Sequence, residues 1–351
     1  MPPISERARS TEELLETVAD AAGGRAATVV MVHTGAGTTS LCRGFTDQTG
    51  AVPVTERTRF ELGSVTKTFT ALLFADMAAR GTVRLDEPLS ARVPRWALPR
   101  GPVGGGITLE HLATHTSGLP RLPPGLLRTA VPSWTTNPYQ AYPAHRLLDS
   151  LSRSRVRRPP GLRVHYSNFG VGLLGHLLAE RGTTGYGPLL MAQVVKPLGL
   201  TDTTAETTGV QATGHWHGRP RPPFTIPALP GAGVLRSSGR DLLRYLRCLI
   251  TPELHAGPGD PLRLALREVT RVRPRTPGGP ELCLAWSHNV LPTRRLYFHL
   301  GATRGFTSFI GFCPDPAVAV VALTNISPTL RCRYTQAAYE LLRTVSLRQA
   351  G

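Results

Sequence analysis

Residues 64–81 read Ser64-Val65-Thr66-Lys67-Thr68-Phe69-Thr70-Ala71-Leu72-Leu73-Phe74-Ala75-Asp76-Met77-Ala78-Ala79-Arg80-Gly81. A serine and a lysine three positions apart open an apolar stretch that ends on glycine. The pattern predicts a helix from Ser64 through Ala71, Leu72, Leu73 and Met77 to a C-cap at Gly81. Residues i and i+3 share a helix face, so the Ser64 hydroxyl and the Lys67 amine fall together. A serine hydroxyl is a weak nucleophile until a neighbour takes its proton, and free amides at a helix N-terminus can stabilise charge developing on a substrate oxygen. The serine spacing itself is cheap, because Ser152, Ser154 and Ser237 each have an arginine three residues on. The lysine is more telling. Of 40 Lys+Arg, only Lys67 and Lys196 are lysine. A guanidinium keeps its proton, whereas an ammonium gives one up when desolvated or set beside another cation. Lysine where arginine is the habit points to a position that exchanges a proton; the plainer alternative is an N-cap serine with a surface lysine.

The chain has 351 residues, 41% hydrophobic and 18% charged, with a formal net charge of +17. That balance is globular, and a chain of this size buries about three quarters of the surface its unfolded form exposes. No run approaches the ~18 apolar residues of a membrane span. Ser10 and Glu13 have capping-box spacing ahead of Leu14, Leu15 and Val18, with no apolar secretory region before them, so a cytoplasmic location is expected. Basic runs at Arg153, Arg155, Arg157 and Arg158, and at Arg271, Arg273 and Arg275, lie beside prolines and lack interleaved aromatics, which favours solvated surface over nucleic-acid contact. Cys42, Cys248, Cys283, Cys313 and Cys332 form an odd, scattered set that suits buried reduced thiols. His215-Trp216-His217 has no further ligand cluster with it, so neither metal nor cofactor is expected.

Outward from the Ser64 helix, residues 27–33 and 39–45 read as strands joined by a turn at Gly35 and Gly37. Residues 82–230 mix short apolar helices with Pro/Gly-rich loops and show few strands; the clearest helix runs from Phe169 to Arg181, ending at Gly182. Residues 240–249 read as a helix, residues 282–290, 295–299, 306–312 and 318–324 as strands, and residues 331–347 as a closing helix. The simplest assembly is α/β (α+β). Residues 1–81 and 231–351 join in one antiparallel sheet flanked by helices, residues 82–230 form an inserted, mostly helical lobe, and the site lies in the cleft between them.

Two further motifs carry chemistry. Tyr166-Ser167-Asn168 follows Pro159-Pro160-Gly161: a phenol near a lysine can exchange protons with a serine, and an amide can orient a substrate carbonyl, although Ser167 or Asn168 could simply cap the next helix. His299-Leu300-Gly301 ends a strand, where a glycine lets substrate approach the backbone and the amide after it, that of Ala302, can serve as an oxyanion donor.

Taken in order, SxxK, YxN and HxG resemble the serine β-lactamase and penicillin-binding-protein superfamily, specifically class C β-lactamases with their esterase and transacylase relatives. Residues 112–120, the approach from Pro160, residues 196–200 and residues 301–325 extend the resemblance over roughly residues 25–345. It implies a β-lactamase/transpeptidase-like fold and an acyl-enzyme: Ser64 as nucleophile, Lys67 and Tyr166 as the proton-transfer pair, backbone amides of Ser64 and Ala302 as the oxyanion hole. Asn168, His299, Gly301 and Arg304 would contact substrate, with His299 standing where KTG-type members place lysine. That replacement, with the absent export signal, leans away from a true β-lactamase. It leaves a hydrolase or acyltransferase acting on an ester or amide of a small molecule, as in antibiotic or other secondary-metabolite biosynthesis; an esterase, β-lactamase or D-aminopeptidase-like hydrolase and a non-catalytic binding module are the alternatives. The partners would be a small-molecule acyl donor, anionic if Arg304 meets it, and water or an amine or alcohol acceptor, with neither nucleic acid nor membrane; the oligomeric state is left open.

Overall fold

The computed structural model describes residues 9–24, 26–47, 50–101, 103–180, 185–255, 257–273 and 281–348. Both ends of the chain meet in one six-stranded sheet. Its strands are β1 (Thr28–Thr34), β2 (Gly37–Arg43), β3 (Ser287–Val290), β4 (Arg295–Ala302), β5 (Thr307–Cys313) and β6 (Val318–Thr324). They lie in the order β2-β1-β6-β5-β4-β3 with every neighbour antiparallel. The first and last strands are thus central neighbours, Val30 opposite Ala322.

The strand period of two sends alternate residues to opposite faces. Val30, Val32, Val318, Val320 and Phe309 pack with α1 (Thr11–Ala22) and α5 (Arg333–Arg348) through Leu14, Leu15, Val18, Leu341, Leu342 and Val345. Val29, Met31, Ala319, Val321, Ile310 and Phe312 join a larger core with α2 (Thr66–Ala79) and α4 (Gly239–Ile250). Every residue of β5 and β6 is buried, because both faces are covered. Each fully buried Val, Leu or Phe in such a sheet contributes about 1.5–3 kcal/mol. The start of α1 is fixed as its sequence indicates: Ser10 Oγ accepts from the Glu13 amide at 3.2 Å and the Ser10 amide donates to Glu13 Oε2 at 2.7 Å.

Between α2 and α4 the chain forms short helices and α3 (Asn168–Ala179). Glycine inside a helix costs about 0.5–1 kcal/mol relative to alanine, so Gly172 and Gly175 in α3 need a packing reason. A Cβ on Gly172 would stand 2.5 Å from Leu229 Cδ2, and one on Gly175 2.9 Å from Gly231 Cα. The missing side chains let residues 229–232 close onto α3. Through Ala232, that contact reaches the site described below.

Several elements differ from expectation. The segment expected as a strand over 282–290 pairs as one only from Ser287; before it, the Leu284 amide donates to Val269 O and the Ala285 amide, at φ +58, to Ala113 O, so tertiary contacts override its β-rich composition. A three-residue hairpin, Gly214–Trp216 with Arg219–Arg221, appears in the mostly helical middle, too short to show a periodic pattern. Gly182 and Arg275 lie outside the described residues. Arg153, Arg155, Arg157 and Arg158 are exposed, but Arg273 is buried between Glu110 and Glu268. Cys248, Cys283 and Cys313 are buried free thiols, whereas Cys42 and Cys332 are exposed. No helix among the described residues is long and apolar enough to cross a membrane.

The glycine contact is open to test. Gly175→Ala is expected to lower the unfolding free energy by about 1–3 kcal/mol in a urea titration, despite alanine's better helix propensity. Gly105→Ala, where nothing lies within 4 Å of the added carbon, is expected to change it little.

Candidate active site

Ser64 occupies the middle of a 3₁₀ turn, Gly63–Val65, that runs directly into α2. The first bonds of the turn run from the Val65 amide to Leu62 O and from the Thr66 amide to Gly63 O, so the Ser64 amide lies ahead of the ladder. Gly63 takes φ +50, and a Cβ there would sit 2.4 Å from Ala302 O; a Cβ on Gly301 would sit 2.0 Å from Leu62 O. Only glycine at both positions lets the turn and β4 touch. Ser308 Oγ on the neighbouring strand closes the seam by donating to Leu62 O at 2.9 Å.

The strand pattern also aims the Ala302 amide. The Thr303 amide donates to Phe306 O at 3.0 Å, making those two a hydrogen-bonded pair. Ala302 and Thr307 are then a non-bonded pair, whose N–H and C=O groups point away from the partner strand. On that outer side β3 pairs only as far as Phe298, so the Ala302 amide is left facing the Ser64 turn.

One helical turn beyond Ser64, Lys67 has no exposed surface. Its Nζ donates to Ser64 Oγ at 2.8 Å and to Ala232 O at 2.8 Å. Tyr166 Oη donates to the same Ser64 oxygen at 2.7 Å. Two donors converging on one hydroxyl oxygen favour its ionised, nucleophilic form. Burial holds Lys67 below the ordinary lysine range; the Tyr166 contact acts against this and the Arg121 charge adds to it. Arg121 also stacks on Tyr166, its guanidinium carbon 5.3 Å from the ring centroid.

Two histidines border this group. Burial, with the Lys67 charge second, pushes both His299 and His115 down to about 3, so both rings stay neutral near pH 7. His299 Nδ1 lies 2.8 Å from Leu300 O, and only a protonated Nδ1 can bond a carbonyl, which leaves Nε2 as an acceptor. His115 is the reverse case: Nδ1 accepts from the Ser167 amide at 3.2 Å, so the proton sits on Nε2, buried and without a partner. Its ring lies 4.4 Å from that of Tyr166.

Ser167 caps α3 by accepting from the Gly170 amide at 2.8 Å, so Asn168 is not needed as the cap. Asn168 Nδ2 donates to Tyr139 Oη at 2.9 Å, while its Oδ1 is buried and unpartnered. Behind the turn, buried Glu61 accepts from Thr303 Oγ1 at 2.7 Å and from the Phe224 amide at 2.6 Å, with the Arg236 guanidinium 3.6 Å away. That network fixes the loop after Ala302.

The structure therefore brings Ser64, Lys67 and Tyr166 into direct contact and sets Gly301 and Ala302 against the Ser64 turn, with Asn168 and His299 around them. Arg304 stands further out, on the loop beyond Ala302. The described residues contain no group of three His, Cys, Asp or Glu able to hold a metal ion. Sequence reasoning missed His115, Arg121, Tyr139 and the Ala232 carbonyl. A main-chain acceptor has no residue signature, and His115 lies in a phrase, residues 112–120, noted only as part of the resemblance.

A family model described as Beta-lactamase matches residues 12–344. A protein named Beta-lactamase from Escherichia coli (strain K12) is 26% identical over 330 residues, covering 80% of this chain and 79% of that one. The D-alanyl-D-alanine-carboxypeptidase/endopeptidase AmpH of the same strain is 26% identical over 283 residues, covering 77% of this chain and 71% of AmpH. Among solved structures, a class C beta lactamase from Rhodobacter sphaeroides superposes with a TM-score of 0.79 at 25% identity, covering 95% of this chain and 99% of that one.

The depressed lysine has a thermodynamic signature. Because the folded-state pKa of Lys67 lies below the ordinary value of 10.5, the unfolded chain binds the extra proton between the two values, and stability rises with pH across that window. Urea midpoints of the wild type and Lys67→Met, measured between about pH 7 and 10, are expected to give a pH slope more positive in the wild type than in the variant, the buried cysteines, whose thiols burial pushes up, lowering both alike. Parallel slopes would mean that the ammonium is not desolvated.

Proposed function

The chain belongs to the beta-lactamase family of serine hydrolases, and on that premise we propose that it works through a covalent acyl-enzyme on Ser64, accepting the acyl group of a small ester or amide and passing it to water, an amine or an alcohol. The observation that carries this reading is the Ser64 oxygen held 2.8 Å from Lys67 Nζ and 2.7 Å from Tyr166 Oη. In acylation Ser64 Oγ attacks the carbonyl carbon, and its proton passes into the Lys67–Tyr166 pair. The amides of Ser64 and Ala302 take the oxyanion, and the same pair returns the proton to the leaving oxygen or nitrogen. In deacylation the acceptor gives its proton to that pair as it attacks the acyl carbon, and the pair returns it to Ser64 Oγ as the acyl–oxygen bond breaks. Both side chains hold the Ser64 oxygen, so the base is named as the pair.

Asn168 is the natural holder of an N–H on the acyl donor, since its buried Oδ1, an acceptor, has no partner among the described residues. His299 offers a lone pair where a fixed positive charge would suit a β-lactam carboxylate. That favours ester or amide donors whose group at this edge is uncharged. Hydrolysis and a biosynthetic transfer, for example in making an antibiotic or another secondary metabolite, share this first half and differ only in what attacks the acyl-Ser64.

Intact-mass analysis after incubation with a fluorophosphonate or a p-nitrophenyl ester should show one adduct that is absent in Ser64→Ala. Lys67→Met and Tyr166→Phe are each expected to slow acylation by about 10²–10⁴-fold. The acylation rate should climb with pH as the buried Lys67 ammonium gives up its proton, with no limb near pH 6.5 from His115 or His299, which burial pushes down to about 3. An adduct that survives Ser64→Ala would end the reading. Adding a panel of amines to the ester reaction separates the two outcomes: amide products mark a transferase, free acid alone a hydrolase.

A further inference from the structure

Arg304 is two residues beyond Ala302, on a loop whose backbone is pinned from three sides. Thr303 Oγ1 donates to Glu61 at 2.7 Å, the Gly305 amide donates to Thr303 Oγ1 at 3.2 Å, and Ser327 Oγ donates to Arg304 O. Its guanidinium carbon lies 5.4 Å from the ring centroid of Trp134 and 5.4 Å from that of Trp216. Arg221 shares the second indole, its guanidinium carbon 4.9 Å from the Trp216 centroid. Two cations of like sign on one ring repel each other, and among the described residues neither is ion-paired with a carboxylate. Arg221 Nη2 donates to Trp216 O at 3.5 Å, but its Nε is buried with no partner. Aromatic stacking covers the flat faces of a guanidinium and leaves the N–H groups along its edge to bind in plane, the geometry that matches a carboxylate.

The Arg304 charge reaches the Tyr139 hydroxyl beside Asn168. Charges on Arg304 and Arg121 both act on the buried Tyr139 hydroxyl, which also feels Tyr166 and takes the Asn168 amide hydrogen bond. Arg304 follows Ala302 by two residues, in the turn between β4 and β5. With His299 neutral, the strand edge beside Ser64 supplies no fixed positive charge, and Arg304 on this loop is the next cation along the chain.

We propose that Arg304, held by Trp134 and Trp216 and backed by Arg221, forms a subsite for a carboxylate carried on the acyl donor a few bonds from the scissile carbonyl. The proposal rests on Ser64 being the acylated residue. It requires a donor that is a monoanion, such as the half-ester of a dicarboxylic acid, with its neutral ester end at Ser64 and its charge on the loop. The tryptophans fix the guanidinium direction, so chain length between ester and carboxylate becomes the specificity the site reads.

The test uses the full-length Ser64→Ala chain, in which binding is measured without turnover. Monomethyl succinate, glutarate and adipate are titrated by calorimetry against their dimethyl esters, which have the same shape without the charge. At least one monoanion is expected to bind about tenfold or more tightly than its dimethyl counterpart, with the preference weakening as salt is raised. Arg304→Gln in the same background should remove the preference, and Arg221→Gln should reduce it. Equal binding of monoanion and diester, no measurable binding of any monoanion, or a preference that survives Arg304→Gln each overturns the subsite. Because the binding readout needs no acylation, a missing fluorophosphonate adduct beside an intact Arg304-dependent preference would refute the Ser64 chemistry and leave the anion site standing.

Discussion

An ammonium group sealed from water is the constraint on which the molecule turns. Lys67 has no exposed surface, and its hydrogen bonds go to a serine oxygen and one main-chain carbonyl. A buried amine so placed is costly to keep protonated, and that cost is what gives the pair with Tyr166 its capacity to exchange a proton. Keeping water out takes parts of the chain far apart in sequence: the α2 turn, the loop before α3, the segment ending at Ala232 and the end of β4. Two of these seams are close contacts that a larger residue would prevent, through Gly63 and Gly301 between the turn and β4 and through Gly172 and Gly175 between α3 and residues 229–232. Fold and site are thus coupled through small residues.

The same desolvation disciplines the neighbours. His115 and His299 cannot compete for the proton that leaves serine, since burial and the Lys67 charge hold both rings neutral. Their fixed tautomers then matter more than their charge: one presents a proton on Nε2, the other a lone pair. Glu61 and Arg236 form a second buried group behind the turn, where desolvation raises the carboxyl and opposes the attraction of its partner. Replacing one of that pair would leave an uncompensated charge under Thr303, so the ion pair serves to hold geometry more than to add stability.

Legibility in the sequence followed physical cause. β6 was readable to the residue because a strand buried on both faces is an unbroken apolar run. The β3 region was overread, since its β-rich residues are held by contacts to Val269 and Ala113 that lie far away in the chain. In the site, SxxK and YxN were visible because hydroxyl, amine and phenol chemistry needs those residue types at short range. The Ala232 carbonyl was not, because any residue supplies a carbonyl and only the fold says which one arrives. Arg304 was legible as a charge, but its two tryptophans come from positions 134 and 216, with nothing local to join them. Arg273 misled in the other direction: within a basic run it read as solvated, yet Glu110 and Glu268 bury it.

The scarcity of lysine has a practical side. Of the two lysines in the chain, Lys196 is exposed and Lys67 is not. An amine-selective reagent added to the folded chain finds only Lys196 as an open lysine target, and that residue is far in sequence from every group placed around Ser64. Beside the N-terminal amine, it is the lysine attachment point for a dye, a surface or a crosslinker. Modification at Lys67, conversely, would be a covalent record that the site had opened to solvent, read by peptide mapping as the fraction of chains labelled there.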